Sequence, residues 1–141
     1  MGSVDVSGLP ESALLLVDAA PIIYRLERHP TLAQRFAPVF ERQTAGSVRF
    51  AVTTMALAEV LAGPFKRGDE ALARRYRAVL ASWQVVELTA ELAEQAARLR
   101  AQLNLKLADA IQAASALAIN ADALVTHDRD FSKVSALRVI K

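Results

Sequence analysis

Leu105-Lys-Leu-Ala-Asp109-Ala-Ile-Gln-Ala-Ala-Ser-Ala-Leu-Ala-Ile119, followed closely by Ala121-Asp-Ala-Leu-Val-Thr-His127-Asp128-Arg-Asp130-Phe131, is the stretch on which the fold turns. The first half reads as a helix, being rich in Ala and Leu and free of Gly and Pro. Leu107, Ile111, Ala114 and Ala118, at i, i+4, i+7 and i+11, form the expected core stripe. Asp109, Gln112 and Ser115 fall three apart. A solvated helix face usually carries Lys, Glu and Arg, so these short polar groups suggest the lining of a groove. The second half is a short apolar strand that ends in acids. A helix acid followed by a strand-end acid suggests one shared site, whose other half lies elsewhere in the chain.

Working outward, Ala13-Leu-Leu-Leu-Val17 is a short continuous apolar run, as expected of a parallel strand covered on both faces, and it ends at Asp18. Residues 19–27 read as a helix with Pro21 in its first turn, and 31–43 as a second, broken by Gly46. Val48–Val52 is the second strand. Thr53 or Thr54 caps the next helix, over 55–61, with Gly63-Pro64 as its stop. Gly68 opens a basic helix over 70–83. Arg74, Arg75 and Arg77 are dispersed around it, as on a solvated face, and Trp83 closes its apolar run as a core residue. Gln84–Leu88 is the third strand. Thr89 caps a helix through Arg100 whose acids lie early and whose bases lie late, as the helix dipole favours. Ala123–Thr126 is the fourth strand, and Arg138–Ile140 a short fifth at an edge. Alternating strands and helices give a three-layer α/β/α sandwich around a four- to five-stranded parallel sheet. Sites in such sheets lie beyond the carboxyl ends of the strands, where Asp18 and Asp128 both fall.

The 141 residues suit a single domain over 13–141. Residues 1–12 are expected to be a flexible segment, since Met1-Gly2-Ser3 resembles a cloning remnant. That segment lacks the basic and apolar regions of a secretory signal, and no run approaches the roughly 18 apolar residues of a membrane span. Cys is absent, which excludes disulfides and thiolate metal sites and fits a reducing, cytoplasmic setting. Lys and Arg number 17 against 15 acids. Committing four acids to a cation leaves 11, a balance of +6 over the remaining surface. A basic surface around an acidic pit suits a bound polyanion.

Glu59 has Met55, Ala56, Ala62 and Gly63 at i±3 and i±4, so no local cation pairs with it. A carboxylate in apolar surroundings must be solvated, neutralised or bound. Taken singly, Asp18 or Glu59 is an ordinary cap or exposed residue. Four acids on elements that can converge are more than that, because clustered carboxylates repel unless a hard cation holds them. Oxygen-only ligands favour Mg²⁺ or Mn²⁺ over zinc. Two such ions about 4 Å apart activate water and stabilise a leaving oxygen in phosphodiester cleavage.

Leu14-Leu-Leu-Val-Asp18-Ala-Ala-Pro-Ile-Ile-Tyr24, Thr54-Met-Ala-Leu-Ala-Glu59-Val-Leu-Ala-Gly63, Leu107-Ala-Asp109-Ala-Ile-Gln-Ala-Ala114 and Leu124-Val-Thr-His-Asp128-Arg-Asp-Phe131 resemble, in order, the four motifs of PIN-domain ribonucleases. The resemblance is strongest to the VapC toxins of bacterial toxin–antitoxin pairs, and it covers nearly the whole chain after residue 12. It implies that Asp18, Glu59, Asp109 and Asp128 are the catalytic acids that bind Mg²⁺ or Mn²⁺. It makes Asp130 an accessory acid and Thr126 a polar group at the substrate edge. It also implies an RNA substrate, a homodimer and a cognate antitoxin that lays an extended segment across the acids. Two positions depart from the pattern. Ala20 stands where the family often has Ser, Thr or Asn, which removes a possible water or substrate contact. His127 stands where Asn is common, beside the fourth acid, and is a candidate ligand or proton carrier at the substrate edge. His29 precedes Pro30 in a turn and has no assigned role.

Other functions compete with an antitoxin-controlled ribonuclease. A PIN-like RNA-processing nuclease without an antitoxin has the same motifs. Ala20 leaves room for a weakly active or binding-only module. A phosphoacceptor receiver domain also has strand-end acids, but it needs a phosphoacceptor Asp after the third strand, where this chain has Val86-Glu87-Leu88-Thr89.

Overall fold

The computed structural model describes residues 2–141. The chain runs β1 (Ala13–Val17), α1 (Ala19–Leu26), α2 (Leu32–Thr44), β2 (Val48–Thr53), α3 (Thr54–Lys66), α4 (Glu70–Ala81), β3 (Gln84–Val86), α5 (Ala90–Leu103), α6 (Leu107–Ala118) and β4 (Ala123–Val125). A 3-10 turn over Asp130–Lys133 and β5 (Val139–Ile140) follow. The strands, all parallel, stand in the order β3-β2-β1-β4-β5. β1 lies at the centre, and every one of its residues is buried.

The alternation of side chains along β1 divides the core in two. Leu15 and Val17 pack with Ile22, Phe36, Phe40, Val60 and Leu80, under α1 to α4. Leu14 and Leu16 face the other way, onto Leu92, Ala96, Ala110 and Ala113 of α5 and α6. A sheet covered on both faces needs apolar residues at successive positions, which is why β1 has no polar alternation.

Four details differ from the sequence reading. α3 does not stop at Gly63-Pro64 but continues to Lys66. Pro64 forfeits one intrahelical bond near the helix end, and the buried stripe Ala56, Val60 and Pro64 offsets that loss. Gly68, at φ +68°, makes the left-handed turn that separates α3 from α4. β3 is limited to residues 84–86, and Leu88 beyond it is 47% exposed. In α6 the expected stripe fails at its ends: Leu107 is 51% exposed and Ala118 is exposed, while Asp109 to Ala116 are all buried. The middle of α6 is therefore enclosed on every side, and its small residues permit that close approach. The fourth difference lies at the start of the chain. Residues 2–12 are held rather than loose: Val4 is buried and its N–H donates to the Arg35 carbonyl at 2.9 Å. Val6 and Leu9 pack on the core, and Ser12 N–H donates to the Ser47 carbonyl at 3.0 Å. Met1 lies outside the described residues. No helix among the described residues is long and apolar enough to cross a membrane.

Candidate active site

β1 pairs with β2 on one side and with β4 on the other, so the chain changes direction across the sheet at the β1–β4 seam. A crevice opens at such a switch point, beyond the carboxyl ends of the strands. The register pairs Val17 with Val125, and the Asp18 N–H extends the ladder to the Val125 carbonyl at 2.8 Å. That register brings Asp18 beside Thr126, 108 residues away in the chain.

Both carboxylate oxygens of Asp18 are committed. Oδ1 accepts from the Ala19 N–H, capping α1, and from Gln112 Nε2, both at 2.9 Å. Oδ2 accepts from the Thr126 hydroxyl at 2.9 Å. Gln112 is only 1% exposed, and its Oε1 accepts from the Thr53 hydroxyl at 2.6 Å. Thr53 Oγ1 in turn accepts from the Ala56 N–H, capping α3. This fixes the orientation of the Gln112 amide, since the opposite one would aim its oxygen at a carboxylate. Thr126 Oγ1 also accepts from the Asp128 N–H at 3.0 Å, and Asp128 Oδ1 accepts from the Asp130 N–H at 2.9 Å. The last bond turns the chain back on itself and carries the Asp130 side chain towards Asp128.

The crevice is an open pit of about 600 Å³. Asp18, Glu59, Asp109 and Asp128 all line it, with Ala20, Met55, Ala108 and Gln112 between them. Asp109, Asp128 and Asp130 each offer an oxygen within 4.8 Å of the others. Asp18 and Glu59 stand outside that tight group. Asp109 is 8% exposed, and its Oδ2 has no hydrogen-bond partner among the described residues. Burial, then the charges of Asp128, Asp18 and Asp130, push its carboxyl up to about 6. Glu59 is raised above the ordinary carboxylate range, first by partial desolvation and then by Asp18 and Asp109, although the residue as a whole remains exposed. The N-termini of α1, α3 and α6 all point at this region, and their partial positive charge offsets some of the repulsion.

A bound cation would relieve the remaining repulsion. Two carboxylates at about 5 Å repel by about 3 kcal/mol at an effective dielectric of ~20. A buried carboxylate oxygen with no donor, among oxygen-only neighbours, fits a hard divalent ion and does not fit a thiolate-seeking or imidazole-seeking one. The PIN domain model matches residues 15–137.

The chain belongs to the PIN-domain family.

No curated protein matches the sequence. Among solved structures, the PIN domain described here is similar to a toxin–antitoxin complex from Klebsiella pneumoniae, with 24% identity and TM-score 0.71 over 90% of this chain and 96% of that one. It is also similar to VapBC2 from Rickettsia felis bound to a promoter DNA fragment, at 20% identity and TM-score 0.70, over 89% and 96% of the two chains. A third is VapC20 from Mycobacterium tuberculosis, a Sarcin-Ricin loop cleaving toxin, at 19% identity and TM-score 0.65, over 85% and 94%. At these identities the likeness is one of fold.

The four acids expected from the motifs thus meet in one pit, and Asp130, expected as an accessory, sits inside the tight cluster. Thr126 is fully buried and holds Asp18 from beneath. His127 is exposed at the rim, and its Nδ1 lies 2.8 Å from the Tyr24 hydroxyl. Ala20 is on the pit wall as the motif placed it. Sequence reasoning put Gln112 on a groove face without giving it a partner, and it assigned Thr53 only a capping role. Ser115 does not share that groove; its buried hydroxyl donates to the Ile111 carbonyl. The clue available was Gln112 itself, a long amide in an otherwise Ala-rich helix, which needs partners when buried.

Proposed function

We propose that this PIN domain is a metal-dependent endoribonuclease toxin that cleaves RNA phosphodiester bonds and is neutralised by a cognate antitoxin. One observation carries the reading: the buried, partnerless oxygen of Asp109 inside a three-carboxylate cluster at the carboxyl edge of a parallel sheet. Asp18, Glu59, Asp109, Asp128 and Asp130 are the residues that would hold Mg²⁺ or Mn²⁺. When bound, such an ion lowers the pKa of water and offsets the charge that builds on a phosphate under attack. The chain's own contribution is to pre-set the acids. Gln112 and Thr126 fix the plane of the Asp18 carboxylate before substrate arrives, and the Thr126–Asp128–Asp130 bonds set the opposite wall. Hydrolysis adds water across one P–O bond: the water oxygen joins phosphorus and its proton leaves with the departing ribose oxygen.

The antitoxin is supported by the similarity to toxin–antitoxin complexes; the homodimer and a cytoplasmic setting belong to the same proposal and follow from the motif resemblance alone. The test is cleavage of RNA by the purified protein. Activity is expected with Mg²⁺ or Mn²⁺, none in EDTA, and none for Asp18→Asn at an unchanged circular dichroism spectrum. Undiminished cleavage in EDTA would refute the metal mechanism.

A further inference from the structure

A second recess of about 370 Å³ adjoins the acidic pit, lined by Arg35, His127, Arg129 and Lys141. His127 and Arg129 belong to the linings of both hollows, so they form the wall between them. The His127 ring is held upright there by the Tyr24 hydroxyl on Nδ1 and by edge-on contacts with Tyr24 and Phe36, at centroid distances of 5.6 and 6.0 Å. That leaves its Nε2 free of any partner among the described residues. The recess is lined by three residues with cationic side chains and by none with an acidic side chain.

None of these cations is ion-paired among the described residues. The ion pairs among the described residues are Arg67–Glu27 and Arg98–Glu94, and neither involves the recess. Arg129 stands between Asp128 and Asp130 in the chain, yet it pairs with neither. Arg35 Nη1 donates to the Gly2 carbonyl at 3.0 Å, while its Nε is buried and has no hydrogen-bond partner. A buried guanidinium N–H without an acceptor is costly; that atom is itself enclosed, so a ligand in the recess would meet the rest of the guanidinium and its uncompensated charge. The acceptor such a site lacks is an anion with several oxygens, which matches the geometry of an arginine fork.

We infer that Arg35, Arg129 and Lys141 form a phosphate subsite that holds the RNA strand beside the cleaved linkage. The proposal rests on the nuclease reading above and adds to it where the strand leaves the pit. The acids alone repel a polyanion, so a cationic recess across the His127–Arg129 wall supplies the attraction that keeps a neighbouring phosphate in place. Phosphate contacts of this kind position the strand without reading its sequence.

The test uses a short fluorescent single-stranded RNA with the full chain. Binding is measured in an Asp18→Asn background, which blocks cleavage, across a series of KCl concentrations. Arg129→Gln and Lys141→Gln should each weaken binding about three- to tenfold, equally for unrelated RNA sequences, and lower the slope of log affinity against log salt by roughly 0.7. Arg35→Gln should do the same, but it also loses its bond to Gly2, so the two exposed positions decide. Arg98→Gln, on α5, controls for net charge. With the active site intact, Lys141→Gln, at a position that lines the recess and not the pit, should raise KM far more than it lowers kcat. If the parent binds and cleaves RNA while Arg129→Gln and Lys141→Gln keep its affinity and salt slope, the subsite is wrong and the nuclease reading stands. Equal losses for Arg98→Gln likewise overturn the subsite. If the parent neither binds nor cleaves RNA, the nuclease reading fails and the subsite falls with it.

Discussion

Replacing Asp109 with Asn tests whether the acids share a site, because it removes one charge and little volume. The Asp109 carboxyl is pushed from the ordinary 3.8 up to about 6. At about 1.4 kcal/mol per pH unit, the rise corresponds to about 3 kcal/mol of lost stability when the group is ionised. The direction follows from linkage. Below about pH 4 the folded and unfolded chains both hold the proton, and Asp109 costs nothing. Between about pH 4 and 6 the folded chain holds more of it, so stability falls as pH rises. Above about 6 the full cost is present. Asp109→Asn should therefore be more stable than the parent in EDTA at pH 7.5, by up to about 3 kcal/mol. For a chain of this length that is a rise of roughly 5–10 °C in Tm. At pH 4 the advantage should vanish. A divalent ion relieves the same repulsion, adding about 2.7 kcal/mol to the parent at 100 times Kd. The variant should gain much less, so the two Tm values should converge or cross as Mn²⁺ is added. Calorimetric or fluorescence melts at pH 4 and 7.5, with and without Mn²⁺, measure all four quantities. If Asp109→Asn melts below the parent in EDTA at pH 7.5 and both gain equally from Mn²⁺, Asp109 is a structural residue and belongs to no metal site.

Gln112→Leu should slow RNA cleavage by about 10- to 100-fold and raise the Mn²⁺ concentration needed for half activity, because Asp18 loses one of its holders; an unchanged metal titration would show that Gln112 only fills space. Thr126→Val strips a buried hydroxyl that donates to Asp18 and accepts from Asp128. It should cost about 1–3 kcal/mol in urea denaturation, whereas Thr126→Ser, which keeps the hydroxyl, should retain most of the cleavage rate. A loss in Thr126→Ser with none in Thr126→Val, which keeps a methyl at that position, would assign the role to the methyl group instead.

The elements and the order of the motifs were legible in the chain because they depend on neighbours in sequence. Ala13–Val17 reads as a doubly covered strand from its composition alone, and Thr89 caps α5 through a bond to Leu92 N–H only three residues away. Asp18 and Asp128 at strand ends follow from that reading, since any parallel sheet places its crevice there. What the chain could not reveal depends on register and enclosure. Gln112 meets Asp18 across 94 residues only because Val17 pairs with Val125 and α6 packs over that seam. Asp130 joins Asp109 because one side-chain bond folds the loop after β4 back on itself. α3 passes through Pro64 because burial of one face outweighs a lost backbone bond, a balance struck by tertiary packing and hidden from local propensity. The cationic recess draws Arg35 from α2, His127 and Arg129 from the loop after β4 and Lys141 from beyond β5, and no local pattern joins them. Local physics fixed which acids stand at strand ends; only the assembled sheet decided which groups hold them in place and which cations stand beside them.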